Sequence, residues 1–502
     1  MLGHNVKMPK PPAEPSSKKV CRSKNLELIK AKLGNALNAY ERRELIKFLE
    51  QIGSCDIIRK LPISILSLVC QYFTPYELCQ LRLVSKEWDK KVTHDCIWKP
   101  ICQDYGILAA TSTTPLTTET IVFNEDNSNN THTFFNTFKR SLTTSRNWKI
   151  FQSKRYELHF SKGPILSLLV ADITRVFSGD LDGSIHVWNA QSSEYVTALK
   201  AHTKHVACLA HYGNLLASGS SDTTIAIHNM HSFEKLNVLQ GHEGPVTSLV
   251  FAPKTTDNEA LVISGSTDRT IRIWDTARET CLRILHGQEN TIISLAFSAS
   301  IPAEYCQSEA DTSSVRNNKA GYIISGSSDR NVFVWDLKKS ILDDAPQVIN
   351  SIMGTNGPVT AMAVYDESSH RTPEPTAGNN NNPYLLARQP IHIPPFVIYA
   401  GMFDAAISLY SIPGLEKTYI EAPNIHRGTI WSITTATLHS KLITTSGDRT
   451  AMIWDLKSPK KCTTLGGFDS TVVSSAVSPQ EELLCFGTEK GTLIVFDLQE
   501  FH

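Results

Sequence analysis

The sequence predicts a mainly β chain, a closed ring of seven repeated β units, preceded by a small all-α domain. Three observations carry this expectation. Between residues 177 and 497 a polar turn followed by a short apolar strand recurs seven times, at a spacing near 42 residues where no insertion intervenes. Ahead of the first repeat lies a lone alternating segment that supplies the one strand the last repeat lacks. Residues 57–105, by contrast, have helical periodicity and few glycines.

Composition narrows the function classes before any motif is read. The 502 residues hold 49 Lys and Arg against 49 Asp and Glu, so the net charge is zero. A general nucleic-acid binder draws its affinity from excess positive charge, and no nucleic-acid partner is expected. No apolar run approaches the roughly 18 residues of a membrane span, and the first twenty residues have no apolar signal core. Eleven cysteines are scattered without a Cys-x-x-Cys pair, which argues against a disulfide framework or a zinc cluster. A soluble chain in a reducing compartment, cytoplasmic or nuclear, is the expectation. Asn129-Asn130-Thr131 is a formal glycosylation sequon without a signal peptide to make it meaningful.

Taken in order, residues 1–25 read as a disordered basic tail, and residues 1–60 hold 13 Lys and Arg against 6 Asp and Glu. Lys18, Lys19, Arg22 and Lys24 suit either a nuclear import signal or a solvated tail. In residues 26–56, Leu26, Ile29, Leu33, Leu37 and Tyr40 form one amphipathic stripe, and a second short helix follows. This segment either self-pairs as a homodimer or packs back onto its neighbours.

Residues 57–105 carry the first specific signal. Thr74-Pro75-Tyr76-Glu77 is a capping box with proline at the first helical position, and Leu78, Leu81 and Val84 lie on one face of the helix it opens. With Leu61-Pro62, Ile65, Leu68, Tyr72-Phe73, Ser85, Trp88 and the trailing Ile97-Trp98-Lys99, the order resembles the F-box. That resemblance implies that Leu61, Pro62, Ile65, Leu66, Leu78, Leu81 and Trp88 dock a Skp-type adaptor, and through it a cullin, by apolar helix-in-groove burial. Residues 106–154 read as a polar linker with a short helix around Phe134–Trp148.

From residue 155 to residue 502 the repeat decides the fold. Its turn positions are 182, 222, 268, 329, 404, 448 and 490, with the long spacings confined to the middle. Gly-His precedes the turn in some repeats, and Trp188, Trp274, Trp335 and Trp454 close four of the strands. The pattern resembles the WD repeat and implies a closed seven-bladed β-propeller. Four-residue sets such as His242, Ser264, Asp268 and Trp274 have the types for a buried hydrogen-bond tetrad that stiffens each blade. Residues His426, Thr444, Asp448 and Trp454 repeat the set, and the second blade has His228 in the tryptophan position. A nucleophilic hydrolase needs one special site, so repetition makes these sets structural. No metal cluster, phosphate loop or lone activated nucleophile stands out. The chain is therefore expected to have no catalytic residue, no metal and no cofactor.

Closure follows from arithmetic. After Phe496-Asp497 only five residues remain, too few for a fourth strand, so Tyr156–Phe160 is expected to complete the seventh blade. Insertions 299–320 and 366–396 fall between the first and second strands of their blades, on the bottom. The F-box linker enters from the same side, which leaves the top open. The F-box/WD-repeat resemblance implies that this top face receives a protein substrate for a cullin-based (SCF-type) ubiquitin ligase. Fourteen positions shape the top: Leu166, Ala207, Thr247, Ile293, Thr360, Trp431 and Val473 early in the first strands, and Leu181, Ser221, Thr267, Ser328, Phe403, Gly447 and Glu489 before the turns. None is basic, which is unlike a phosphate-reading surface. The candidate substrate residues are Leu166, Leu181, Thr247, Ile293, Phe403 and Trp431, with Arg269, Arg330 and Arg449 reaching up from the turns. A scaffold that docks an adaptor without directing ubiquitination is the alternative function.

Overall fold

In the computed structural model each repeat becomes one antiparallel sheet of four strands, and seven such sheets form the propeller. The structure describes residues 63–70, 73–104, 107, 133–159, 163–253, 260–298, 321–342, 348–355, 357–366, 396–411, 417–419, 426–456 and 462–499. The basic tail, the stripe at 26–56, Leu61, Pro62, the insertion 299–320 and residues 367–395 of the other insertion lie outside the described residues. The chain divides into two units, the second beginning within a helix at Leu142.

Among its described residues the first unit is helical. It holds α1 (Ile63–Cys70), α2 (Pro75–Arg82), α3 (Lys86–Val92), α4 (Asp95–Asp104) and the first half of α5 (Thr133–Ile150). The capping box forms as written: Thr74 Oγ1 accepts from the Glu77 N–H at 3.3 Å, and Glu77 accepts from the Thr74 N–H at 2.9 Å. Ser85 caps α3 in the same way, accepting from the Trp88 N–H. Helix α2 ends at Arg82, so Val84 packs on the core from the connection rather than from a helical face. Trp98 is the centre of the unit. Its indole N–H donates to the Val92 carbonyl at 2.7 Å, and its ring meets Phe135 and Phe138 of α5 at 4.9 and 5.1 Å. The helix expected around 134–148 is therefore longer, because its first turn supplies core to this unit and gains burial by being ordered.

In the second unit the first blade runs Ser167–Val170, Arg175–Gly179, Ser184–Asn189 and Glu194–Lys200, and the next five blades repeat that order. The first strands of neighbouring blades pack side by side around the ring, and the seventh meets the first. Middle strands are buried along their length, whereas the outermost strand of blade one alternates between exposed and half-buried, facing solvent on one side. The seventh blade is completed by Lys154–His159, which pairs antiparallel with Thr492–Asp497 in the register Tyr156↔Val495. Closure by the strand that precedes the first blade pairs an edge that the last repeat leaves open. The first and second strands of blades four and five end and resume on either side of the two insertions, Ile292–Ser298 to Tyr322–Ser327 and Val359–Asp366 to Phe396–Met402.

Candidate protein-interaction faces

The blade turns are built from the expected side-chain sets. In blade three the carboxylate of Asp268 can only accept, so His242 Nδ1–H donates to it at 2.7 Å. His242 Nε2 then accepts from the Ser264 hydroxyl at 2.7 Å, and the Trp274 indole N–H donates to the same hydroxyl oxygen at 2.8 Å. Burial pushes the Asp268 carboxyl up, but His242 and Thr270 outweigh it and hold the group well below the usual carboxylate range. Blade six repeats the chain of bonds through His426, Asp448, Thr444 and Trp454 at 2.8–3.1 Å.

The other blades vary the theme. Blade two joins His202 to Asp222 and Ser218, and despite burial, which pushes its carboxyl up, Asp222 is held at about 2 by Thr224, Thr203 and His202. His228 fills the tryptophan site there, its Nδ1 buried without a hydrogen-bond partner among the described residues, and burial lowers its pKa to about 4. Blade four uses Gln288, whose Nε2 donates to the Ser325 carbonyl. In blade one His186 comes from the third strand to meet Asp180 at 3.3 Å, an arrangement that the Gly-His rule does not reveal. Asp182 lies beside them, and the three ligand atoms lie within 4.8 Å of one another.

These frames aim the top-face residues. Ala207, Thr247, Ile293, Thr360, Trp431 and Val473 each occupy a bulge where the first strand has one residue more than its partner. A bulge re-aims a side chain out of the sheet, and it recurs at the same place in these six blades. Thr247 and Thr360 are drawn into the ring. Their hydroxyls donate to the Ile292 and Ile430 carbonyls of the next blade, which employs Thr247 in joining blades. Leu166 and Ile293 are half-buried.

Trp431 and Phe403 are different: they are 44% and 60% exposed. Thr429 links the backbones of Phe403 and Gly447, its hydroxyl donating to the Phe403 carbonyl and its carbonyl accepting from the Gly447 N–H. Gly447 lies under the indole, since a β-carbon there would stand 3.4 Å from Trp431 Nε1. Leu181 is also exposed on the first blade's turn. Arg269, Arg330 and Arg449 are exposed and adopt φ of 63–68°. All seven blades have positive φ at this place, filled by Gly183, Thr223, Ala405 and Gly491 in the others, so the left-handed residue belongs to the turn.

In the helical unit Leu66, Leu78, Leu81 and Trp88 are buried in the unit's own core, where they hold the helices together. The side chain of Ile65 is outside the described residues. Among the described residues of this unit, the large apolar side chains that face solvent are Tyr76 and Leu83, the latter 87% exposed. Sequence reasoning missed Leu83 because it follows the last helical residue, where periodicity ceases to assign a face.

Comparison with known proteins agrees with both halves. The WD domain, G-beta repeat family matches residues 193–229, 233–275 and 420–455, and the F-box-like family matches residues 58–104. The first two matched repeats each begin on the outermost strand of one blade and end in the next, so sequence repeat and blade are offset by one strand. Similar proteins include the WD repeat-containing protein pop2 of Schizosaccharomyces pombe, 24% identical over 41% of this chain and 30% of its own length. The nuclear distribution protein nudF 1 of Talaromyces marneffei is 35% identical over 20% of this chain and 23% of its own length. The F-box/WD repeat-containing protein sel-10 of Caenorhabditis elegans is 34% identical over 15% of this chain and 13% of its own length. The chain thus spans less than a third of each of these relatives. The fold and the matched segments define a WD-repeat β-propeller joined to an F-box-like domain. In that architecture the chain is similar to F-box/WD-repeat proteins.

Proposed function

We propose that this chain is the substrate-recognition subunit of an SCF-type ubiquitin ligase. The observation that carries the reading is the pairing, on one polypeptide, of an F-box-like domain with a propeller that exposes Phe403 and Trp431 on neighbouring blades. An F-box suggests a Skp-type adaptor as partner, and WD repeats suggest a face for protein binding. The subunit makes and breaks no bonds; it holds a substrate near the conjugating enzyme and raises its effective concentration there.

In this reading residues 57–105 dock the adaptor and through it a cullin, while residues 155–502 bind the substrate. Leu61, Pro62 and Ile65 keep their adaptor-facing role from the sequence pattern, joined by the exposed Tyr76 and Leu83. Leu66, Leu78, Leu81 and Trp88 act indirectly by fixing the helices. On the propeller, Trp431, Phe403 and Leu181 supply apolar anchors of the kind that dominate interfaces, and Arg269, Arg330 and Arg449 flank them. Residues 26–56 are proposed to pair two copies, which light scattering at micromolar concentration tests: a monomeric mass removes the homodimer. Among the described residues no helix is long and apolar enough to cross a membrane. A cytoplasmic or nuclear location belongs to the same proposal.

The test is affinity purification of the intact chain beside a chain lacking residues 57–105, followed by reconstituted ubiquitination of the proteins retained on the propeller. Loss of adaptor and cullin with the deletion, and modification of a retained protein only with the intact chain, is the expected result. Recovery of the adaptor without modification of any partner favours a scaffold instead. Failure of the intact chain to recover an adaptor overturns the reading.

A further inference from the structure

The second half of α5 has two opposite sides. Thr144, Asn147 and Trp148 are buried against the propeller, with Asn147 Nδ2 donating to the Leu498 carbonyl at 2.6 Å and the Trp148 indole N–H donating to the Glu481 carbonyl at 2.7 Å. Successive helical residues are about 100° apart, which brings Leu142, Arg146, Lys149 and Ile150 into one stripe on the far side, within about 100° of arc. Leu142 and Ile150 are 53% and 55% exposed. Arg146 and Lys149 are exposed too, and neither makes a hydrogen bond or ion pair among the described residues. The whole helix, TFFNTFKRSLTTSRNWKI, contains four cations and no carboxylate. Lys149 suits the negative end of the helix dipole, but that accounts neither for Arg146, a turn earlier, nor for two large apolar side chains left in water.

We propose that this stripe docks an acidic segment of a partner protein, one that carries apolar side chains at helical spacing. Alternation of apolar and cationic groups along one stripe matches such a segment in both respects: its apolar residues cover Leu142 and Ile150, and its carboxylates pair with Arg146 and Lys149. Two cations are few for a nucleic acid, whose phosphates draw on many, and Leu142 and Ile150 give phosphates nothing. The apolar face is also small for lying in a bilayer surface. The site is separate from the top-face residues and does not depend on the ligase reading.

The test uses the full chain and fluorescence anisotropy with two labelled synthetic peptides of equal negative charge. One is glutamate-rich with leucines at helical spacing; the other has serines in place of the leucines. The intact chain is expected to prefer the leucine peptide. Arg146→Glu with Lys149→Glu is expected to weaken binding by about tenfold at low salt, and Leu142→Ser with Ile150→Ser to abolish the preference. All four positions are exposed, so thermal unfolding is expected to be unchanged. If a variant unfolds early, Arg146→Gln with Lys149→Gln repeats the test of charge alone. Failure to bind either peptide, unchanged binding by the charge variants, or tighter binding to phosphatidylserine vesicles or single-stranded RNA than to the leucine peptide overturns the proposal.

Discussion

Ser264→Ala removes one oxygen from the middle of a blade and leaves two buried groups without partners. Ser264 receives the Trp274 indole N–H at 2.8 Å and donates to His242 Nε2 at 2.7 Å, and all three residues are buried. Each orphaned buried group costs about 1–3 kcal/mol, so the variant is expected to lose about 2–6 kcal/mol. Little of this is lost packing, because the change is one hydroxyl. The neighbouring Ser248 supplies the control: its hydroxyl is also buried but has no hydrogen-bond partner among the described residues, so Ser248→Ala is expected to be neutral within about 0.5 kcal/mol or slightly stabilising. Hydrogen exchange over residues 260–275 of the full chain reads the effect locally, which matters because a chain of two units has no single unfolding free energy. Thr444→Val, over residues 441–455, repeats the measurement in blade six, where Thr444 holds His426 and Trp454. Equal loss of protection in Ser264→Ala and Ser248→Ala refutes the tetrad as a source of stability.

The other predictions concern acidity and the two faces. His228 takes up a proton near pH 6.5 when unfolded but only near pH 4 when folded, so between these values the unfolded state binds more protons and stability falls as the pH drops. The loss is expected to reach about 3 kcal/mol by pH 4 and to grow no further from this group. His228→Trp is expected to remove most of it, read as exchange protection in blade two at pH 7 against pH 4.5; an unchanged slope assigns the loss elsewhere. Leu83→Asp is expected to abolish adaptor capture with the helical unit intact, whereas Leu78→Asp buries an unpaired carboxylate and unfolds that unit by limited proteolysis. Wild-type capture by Leu83→Asp means that the adaptor binds elsewhere. Trp431→Ala with Phe403→Ala is expected to weaken substrate binding at least tenfold without lowering the thermal midpoint, since both rings are exposed. Full retention of every propeller-bound partner removes this pair from the substrate site.

Much of the architecture is determined by the sequence alone, because its signals are local. Turn, strand and tryptophan recur at one spacing, the capping box lies within four residues, and the alternating segment at 156–160 is one strand short of nothing but the last blade. The tetrads were legible for the same reason, since their members hold repeated offsets from the turn. Tertiary structure decided how individual side chains are used. Leu78 and Leu83 are equally apolar, but only the packing of α2 against its neighbours makes one of them core and leaves the other in solvent. Thr247 and Trp431 occupy equivalent bulges, yet one hydroxyl finds a carbonyl of the next blade while the indole stays exposed. The far stripe of α5 was hidden in a segment read as linker, because a helix reveals its unused face only once its partner on the other side is in place. A periodicity specifies an element and a face; which neighbour covers that face depends on residues hundreds of positions away, as Trp148 against Glu481 illustrates.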